Sequence, residues 1–204
     1  MNKDKQRKYF KEWYTKNVTQ VAVRMKKHNT KNKITVISHY TDDNCCVLCG
    51  ESNINVLTVD HVGGGGRKQQ KDINCGTGYK LYRWLIKKNF PSGYRILCAN
   101  CNHKDEIVRL KRNRNIPWSR QVVLNDKRKI LVFNQYGGKC VKCHISDYDM
   151  LQMDHVNNDG ATHRRERGNK SGIKYSWIIK NMFPKNLQPL CANCNLIKQL
   201  KTYK

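Results

Sequence analysis

Eight cysteines and two Asp-His pairs are the residues of this chain whose types and spacing can do chemistry. Cys46, Cys49, Cys98 and Cys101 form one C-x-x-C…C-x-x-C set, and Cys140, Cys143, Cys191 and Cys194 form a second. Four thiolates suit tetrahedral Zn²⁺ and leave no open coordination position, so two structural zinc ions are expected. Around the sets stand Asp60, His61 and Asn102 in one case and Asp154, His155 and Asn195 in the other. A carboxylate and an amide oxygen are hard ligands that suit Mg²⁺. A neutral His near its natural pKa can take a proton from an attacking water. Together these groups read as one-metal phosphodiester hydrolysis, with the cation stabilising the developing charge and the leaving oxygen.

Taken singly, each residue also has a plain structural role. Asp60 beside His61 can be a surface pair, and Asn102 or Asn195 can cap a helix. For Asn100 and Asn193, inside the second knuckles, helix capping is the preferred reading. The joint recurrence favours a site, because nearby surface positions such as Gln69 and Glu166 have no matched partner.

That recurrence is a duplication. CVLC (46–49) falls on CVKC (140–143) at an offset of 94, which also carries VDHV (59–62) onto MDHV (153–156). After one deletion an offset of 93 carries YRWLIKKNFP (82–91) onto YSWIIKNMFP (175–184) and LCANCN (97–102) onto its repeat at 190–195. The division is a basic N-terminal helical arm at 1–33, a first zinc module at 34–113, a linker at 114–127 and a second zinc module at 128–204. Cys45 and Cys75 have no counterparts and read as spare thiols.

At the level of elements, each module reads as a helix ending near Tyr40 or Tyr136, a C-x-x-C knuckle, then a strand, VLTVDHV or MLQMDHV. Adjacent strand residues face opposite ways, so Asp and His serve one site only where the strand ends and twists. GGGG (63–66) and NNDG (157–160) come directly after and begin a flexible polar stretch. A helix around Trp84 or Trp177, broken by Pro91 or Pro184, comes next; its apolar residues read as core. A short strand, YRIL or LQPL, leads into the second knuckle and a final helix. The fold class is α+β.

The chain carries 40 Lys and Arg against 15 Asp and Glu, a formal net charge of +25. A polyanion is the expected partner, and charge spread along the whole chain favours nucleic acid over a membrane surface. The arm holds eleven Lys or Arg and two acidic residues, with Tyr9, Phe10, Trp13 and Tyr14 near helical spacing. It can follow phosphates, pack its aromatics on module one, or do both. Arg67, Lys68, Arg164, Arg165 and Arg167 come after the Asp-His strands and are candidate phosphate contacts. The linker KRNRNIPWSRQ has Pro117 to stop the preceding helix. MNKDKQRKYF has no apolar core to act as a secretory signal and no apolar run is long enough to span a bilayer, so an intracellular protein with reduced thiols is expected.

The order C-x-x-C, Asp-His at a strand end, then C-x-x-C-N resembles the HNH, or ββα-metal (His-Me finger), nucleases. It is most similar to the zinc-containing branch that includes phage recombination endonuclease VII. The resemblance implies two tandem zinc-stabilised ββα-metal modules. His61 and His155 would be general bases, Asp60, Asn102, Asp154 and Asn195 ligands of Mg²⁺ or a similar divalent cation, and the eight paired cysteines structural zinc ligands. Many members have Asn before the second strand, ordering the loop that holds the His: Asn186 matches, whereas module one has Gly93. The implied activity is divalent-metal-dependent endonuclease action on double-stranded or branched DNA, of homing, restriction or phage type. Two sites in one chain would cut both strands without an oligomer. The alternative is a non-catalytic zinc-containing nucleic-acid-binding protein, a ribonucleoprotein component or a regulator.

Overall fold

The computed structural model describes residues 3–72, 78–112, 120–168 and 173–202. Cys75 and the Pro117 turn of the linker lie outside the described residues. The chain is mixed α/β, with two small two-stranded sheets. The first copy runs α1 (Lys3–Tyr40), β1 (Leu57–His61), α2 (Gly66–Asp72), α3 (Tyr79–Lys87), β2 (Tyr94–Cys98) and α4 (Ala99–Arg112). The second repeats that order as α5 (Arg120–Gln135), β3 (Leu151–His155), α6 (Gly160–Glu166), α7 (Tyr175–Lys180), β4 (Leu187–Cys191) and α8 (Ala192–Thr202).

The chain divides into two compact units, one of residues 1–44 and 61–95, the other of 45–60 and 96–204. In the first unit α1 runs through residue 33 without a break, so the basic arm and the apolar segment ITVISHY are one helix. The physical reason is the lack of a breaker: the first Gly of the chain is Gly50 and the first Pro is Pro91. Only Val36 and Ile37 of α1 are buried, and Tyr9, Phe10, Trp13 and Tyr14 are all exposed. Those aromatics therefore do not pack on module one. The helix is anchored at its end, where the Tyr40 hydroxyl donates to the Pro91 carbonyl at 2.7 Å and His39 stacks on Phe90 at 4.0 Å. Trp84 is half-buried beside fully buried Leu85.

In the second unit α5 repeats the anchor: the Tyr136 hydroxyl donates to the Pro184 carbonyl at 2.7 Å. β3 and β4 pair antiparallel, with Leu151 opposite Cys191, Asp154 opposite Gln188 and His155 opposite Leu187. Phe133, Cys140, Leu151, Leu190 and Cys191 form one buried cluster, and Val132, Ile178 and Leu187 another. Each large apolar side chain so buried contributes about 1.5–3 kcal/mol. Among the described residues, no helix is long and apolar enough to cross a membrane.

Three local expectations change. Helices α3 and α7 are not ended by Pro91 and Pro184. Each stops earlier, and the chain then turns through two successive left-handed residues, Asn89 and Phe90 in one copy and Met182 and Phe183 in the other. The Phe N–H groups close these turns on Leu85 and Ile178 carbonyls, which offsets the backbone cost of αL for non-glycine residues. The stretches read as flexible after GGGG and NNDG contain the short helices α2 and α6. Helix α5 starts at Arg120, inside the segment read as linker, because no Gly or Pro separates Arg120 from the apolar run ILVF.

Candidate metal centres and the Asp-His sites

Each knuckle is a tight turn whose N–H groups aim at sulfur: Cys101 N–H points to Cys98 Sγ at 3.4 Å, and Cys194 N–H to Cys191 Sγ at 3.4 Å. The four Sγ atoms of Cys46, Cys49, Cys98 and Cys101 lie within 4.8 Å of one another, as do those of Cys140, Cys143, Cys191 and Cys194. Cys49 and Cys98 are 3.7 Å apart and Cys143 and Cys191 3.5 Å. Four sulfurs about 2.3 Å from one tetrahedral ion would stand roughly 3.8 Å apart, so both clusters fit Zn²⁺. Cys45 is not in a cluster.

The thiol electrostatics point the same way. Burial opposes ionisation of Cys140, but the backbone N–H groups of Cys191, Cys143 and Lys142 outweigh it and hold the thiol down to about 7. Cys194 is pushed far up by burial and by sharing hydrogen bonds and charge with the other sulfurs. Cys46 and Cys101 show the same opposition in the first cluster. In each cluster the surroundings favour ionisation of one thiol and oppose that of another. A dication favours the thiolate form of all four.

Both Asp-His strands end in the same turn. Gly64 N–H donates to the His61 carbonyl at 2.9 Å, and Asn158 N–H to the His155 carbonyl at 3.1 Å. The turn delivers the first residue of a short helix, Gly66 or Gly160, against the imidazole. A Cβ on either glycine would stand 2.9 Å from the ring Nδ1. Close approach, not backbone conformation, demands glycine here.

The other ring nitrogen is held by the fourth residue of that short helix in both copies. His61 Nε2 is hydrogen-bonded to Gln69 Oε1, and Gln69 Nε2 donates to the Tyr94 hydroxyl. Gln69 thus bridges the His61 ring and the Tyr94 hydroxyl. The bridge holds the orientation of the ring, with Nδ1 on the side of Gly66. In module two His155 Nε2 meets His163 Nδ1 at 2.8 Å, and His163 packs edge-on to Trp177. Burial holds His155 below the ordinary imidazole value, with Asp159 working against that and His163 adding to it. Gln69 and His163 are thus matched partners at an offset of 94, contrary to the reading of Gln69 as a surface residue without one. Comparison by identity hid them because the residue type differs while the contact is the same. The pair Gly66 and Gly160, identical at that offset, was the available signal.

Asp60 and Asn102 are both half-buried, at the end of β1 and in the first turns of α4. Asp154 Oδ2 accepts from Gln188 Nε2 at 2.9 Å and is ion-paired with Lys198 Nζ at 2.5 Å. Lys198 also donates to the His155 carbonyl. Asn195 gives Nδ2 to Gln152 at 2.9 Å, and its Oδ1 accepts from Gln199 at 3.3 Å. Asp154, His155, Gly160, Arg164 and Asn195 line a cleft of about 530 Å³. Asp154, one of the expected Mg²⁺ ligands, is thus ion-paired with an ammonium.

Asn100 and Asn193 cap each other's helices and not their own. Asn193 Oδ1 accepts the Asn100 N–H at 2.9 Å, and Asn100 Oδ1 accepts the Asn193 N–H at 2.9 Å. Arg164 lines the module-two cleft, whereas Arg167 lies 5.5 Å from the Trp177 ring and is half-buried there. Arg165 donates to Thr162 at 3.2 Å, and Lys68 is exposed. The Arg67 side chain lies outside the described residues. Asn186 and Gly93 act alike through their carbonyls, which accept from Val156 at 2.9 Å and Val62 at 3.0 Å. Gly93 therefore costs module one none of that pairing.

Comparison with protein-family models, with curated proteins and with solved structures gives no match to this chain.

Proposed function

We propose that the protein is a divalent-metal-dependent endonuclease that hydrolyses DNA phosphodiester bonds, built on ββα-metal modules. The observation that carries this reading is the posture of His61. It ends a strand directly after Asp60, its Nε2 is hydrogen-bonded to Gln69, and its Nδ1 lies on the other side of the ring, beside Gly66. A base held in one orientation is what deprotonation of an attacking water needs. The order β1, β2, α4 and its repeat β3, β4, α8, each joined to a cluster of four cysteines, supports the ββα assignment. The net charge of +25 supports nucleic acid as substrate.

In module one Asp60 and Asn102 are the hard oxygen donors that would hold Mg²⁺. When bound, the ion supplies charge stabilisation at the phosphate and at the leaving oxygen. His61 takes the water proton at Nδ1, and Gln69 and Tyr94 keep the ring from turning. The zinc clusters are structural, because four thiolates fill the coordination shell.

The test is incubation of the zinc-loaded protein with supercoiled, linear and branched DNA, with and without Mg²⁺. Mg²⁺-dependent cleavage of at least one substrate is expected. A protein that binds all three and cuts none is the non-catalytic binding protein instead.

A further inference from the structure

Both copies keep Asp, His and Asn, but the charges at neighbouring positions differ, and Gln188 stands where module one has Arg95. Lys198 stands where module one has Asp105, and Gln199 where it has Glu106. Lys198 comes three residues after Asn195 on α8, so the two share a helix face. Its ammonium reaches Asp154 at 2.5 Å, with side-chain exposures of only 19% for Lys198 and 12% for Asp154. A second donor, Gln188, lies on the same oxygen.

We propose that Lys198 is the resident cation of the Asp154 site. It neutralises the carboxylate that a divalent ion would need, so module two takes no divalent metal. Resting on the nuclease reading above, this leaves at most one cutting site in the chain and leaves module two to hold a phosphodiester strand through Arg164, which lines the cleft. The protein then nicks instead of cutting both strands.

Coulomb's law decides the matter. Mg²⁺ bonds carboxylate oxygen at about 2.1 Å. An ammonium already on that oxygen competes for it, and a dication on either oxygen would stand a few ångströms from that positive charge in a partly desolvated cleft. Displacing Lys198 would break its bond to the His155 carbonyl as well. Helix α8 has no acidic residue to compensate.

The experiment counts Mn²⁺, a spectroscopic stand-in for Mg²⁺, bound per zinc-loaded full-length chain by electron paramagnetic resonance. Asp154→Asn in the otherwise native protein leaves the count unchanged. Lys198→Asp adds one Mn²⁺, and Asp154→Asn in that background removes it. If Lys198→Asp loses zinc, Lys198→Gln takes its place with the same expectation. A count that falls on Asp154→Asn in the native protein, or a folded Lys198 variant that gains no Mn²⁺, overturns the proposal. Because the readout is metal and not cleavage, failure of the nuclease reading shows separately, as a protein that cuts nothing whatever its Mn²⁺ count.

Discussion

Asn100 and Asn193 exchange hydrogen bonds, each side-chain oxygen accepting the other's backbone N–H at 2.9 Å. Each residue is the second of its helix, so each supplies the acceptor that an unpaired N–H in the other helix's first turn requires. Both are buried, at 5% and 8% exposure, which removes water as a substitute. The same sequence, CANCN, thus serves twice: its cysteines hold metal and its first Asn locks the two final helices together. The Lys104–Asp147 pair at 2.6 Å joins α4 to the turn before β3, but it is half-exposed and adds little.

Asn100→Ala and Asn193→Ala should each cost about 1–3 kcal/mol, since each leaves the other's buried N–H without an acceptor. Urea unfolding of the zinc-loaded protein measures this, and the two losses should fail to add in the double variant, because the residues are in contact. Losses of a few tenths of a kcal/mol would show that the exchange is incidental.

Zinc should amount to two ions per chain, and Cys98→Ser or Cys191→Ser should unfold its copy. A structural Zn²⁺ site is worth on the order of 10 kcal/mol, comparable with the whole stability of a domain. Metal loading expels thiol protons, so affinity should fall on acidification. Elemental analysis and circular dichroism before and after chelation check this. Unchanged folding without metal would contradict it.

Gly66→Ala should lower cleavage by roughly tenfold to a hundredfold, because a methyl 2.9 Å from Nδ1 turns the ring away from the water it deprotonates. The ring is a movable neighbour, so melting temperature should shift little. Gly160→Ala displaces His155 in the same way, visible as a changed imidazole signal by NMR. Equal cleavage rates for native protein and Gly66→Ala would remove Gly66 from the site.

His155 gives a pH dependence of stability. Its folded value is depressed, chiefly by burial, so the unfolded chain binds more protons than the folded one between the two values. The stability it contributes is fully present above the ordinary value of about 6.5 and is lost as pH falls through the folded value. Melting temperature should decline over that window, and His155→Gln should flatten the decline. A variant with the native slope would place the acid loss in the thiolates alone.

Legibility in the sequence depended on what spacing encodes. Cysteine pairs at C-x-x-C spacing fix their own geometry, so the two four-cysteine clusters and the strands beside them read directly from the chain. The Asp-His pairs read because both copies kept them. Gln69 and His163 did not read, since a side-chain contact survived a change of residue type. Lys198 did not read for the opposite reason: matching identities draws attention to what was kept, and the informative change was Asp105 to Lys198. Helices α2 and α6 were hidden behind GGGG and NNDG, whose composition signals a turn and nothing of the helix beyond it. The continuity of α1 was visible in the absence of Gly and Pro but was obscured by the shift from charged to apolar residues near residue 34.

His61 carries the last prediction. If Nδ1 is the general base, His61→Ala should reduce cleavage about a hundredfold or more while leaving DNA affinity nearly unchanged, because the imidazole moves a proton and contributes little to holding a polyanion. Gln69→Ala should act through the ring: Nε2 loses its hydrogen-bond partner, the ring orientation is no longer held, and the rate falls less than for His61→Ala. Gln69→His, which copies the module-two arrangement, should recover part of it. With supercoiled plasmid the native protein should accumulate nicked circles, and linear product should appear only through chance nicks on opposite strands at high enzyme concentration. Gel analysis of the time course, with ends mapped by sequencing, measures all of these. Full activity of His61→Ala would end the assignment of His61, and a linear product formed without a nicked intermediate would require a second working site in the chain.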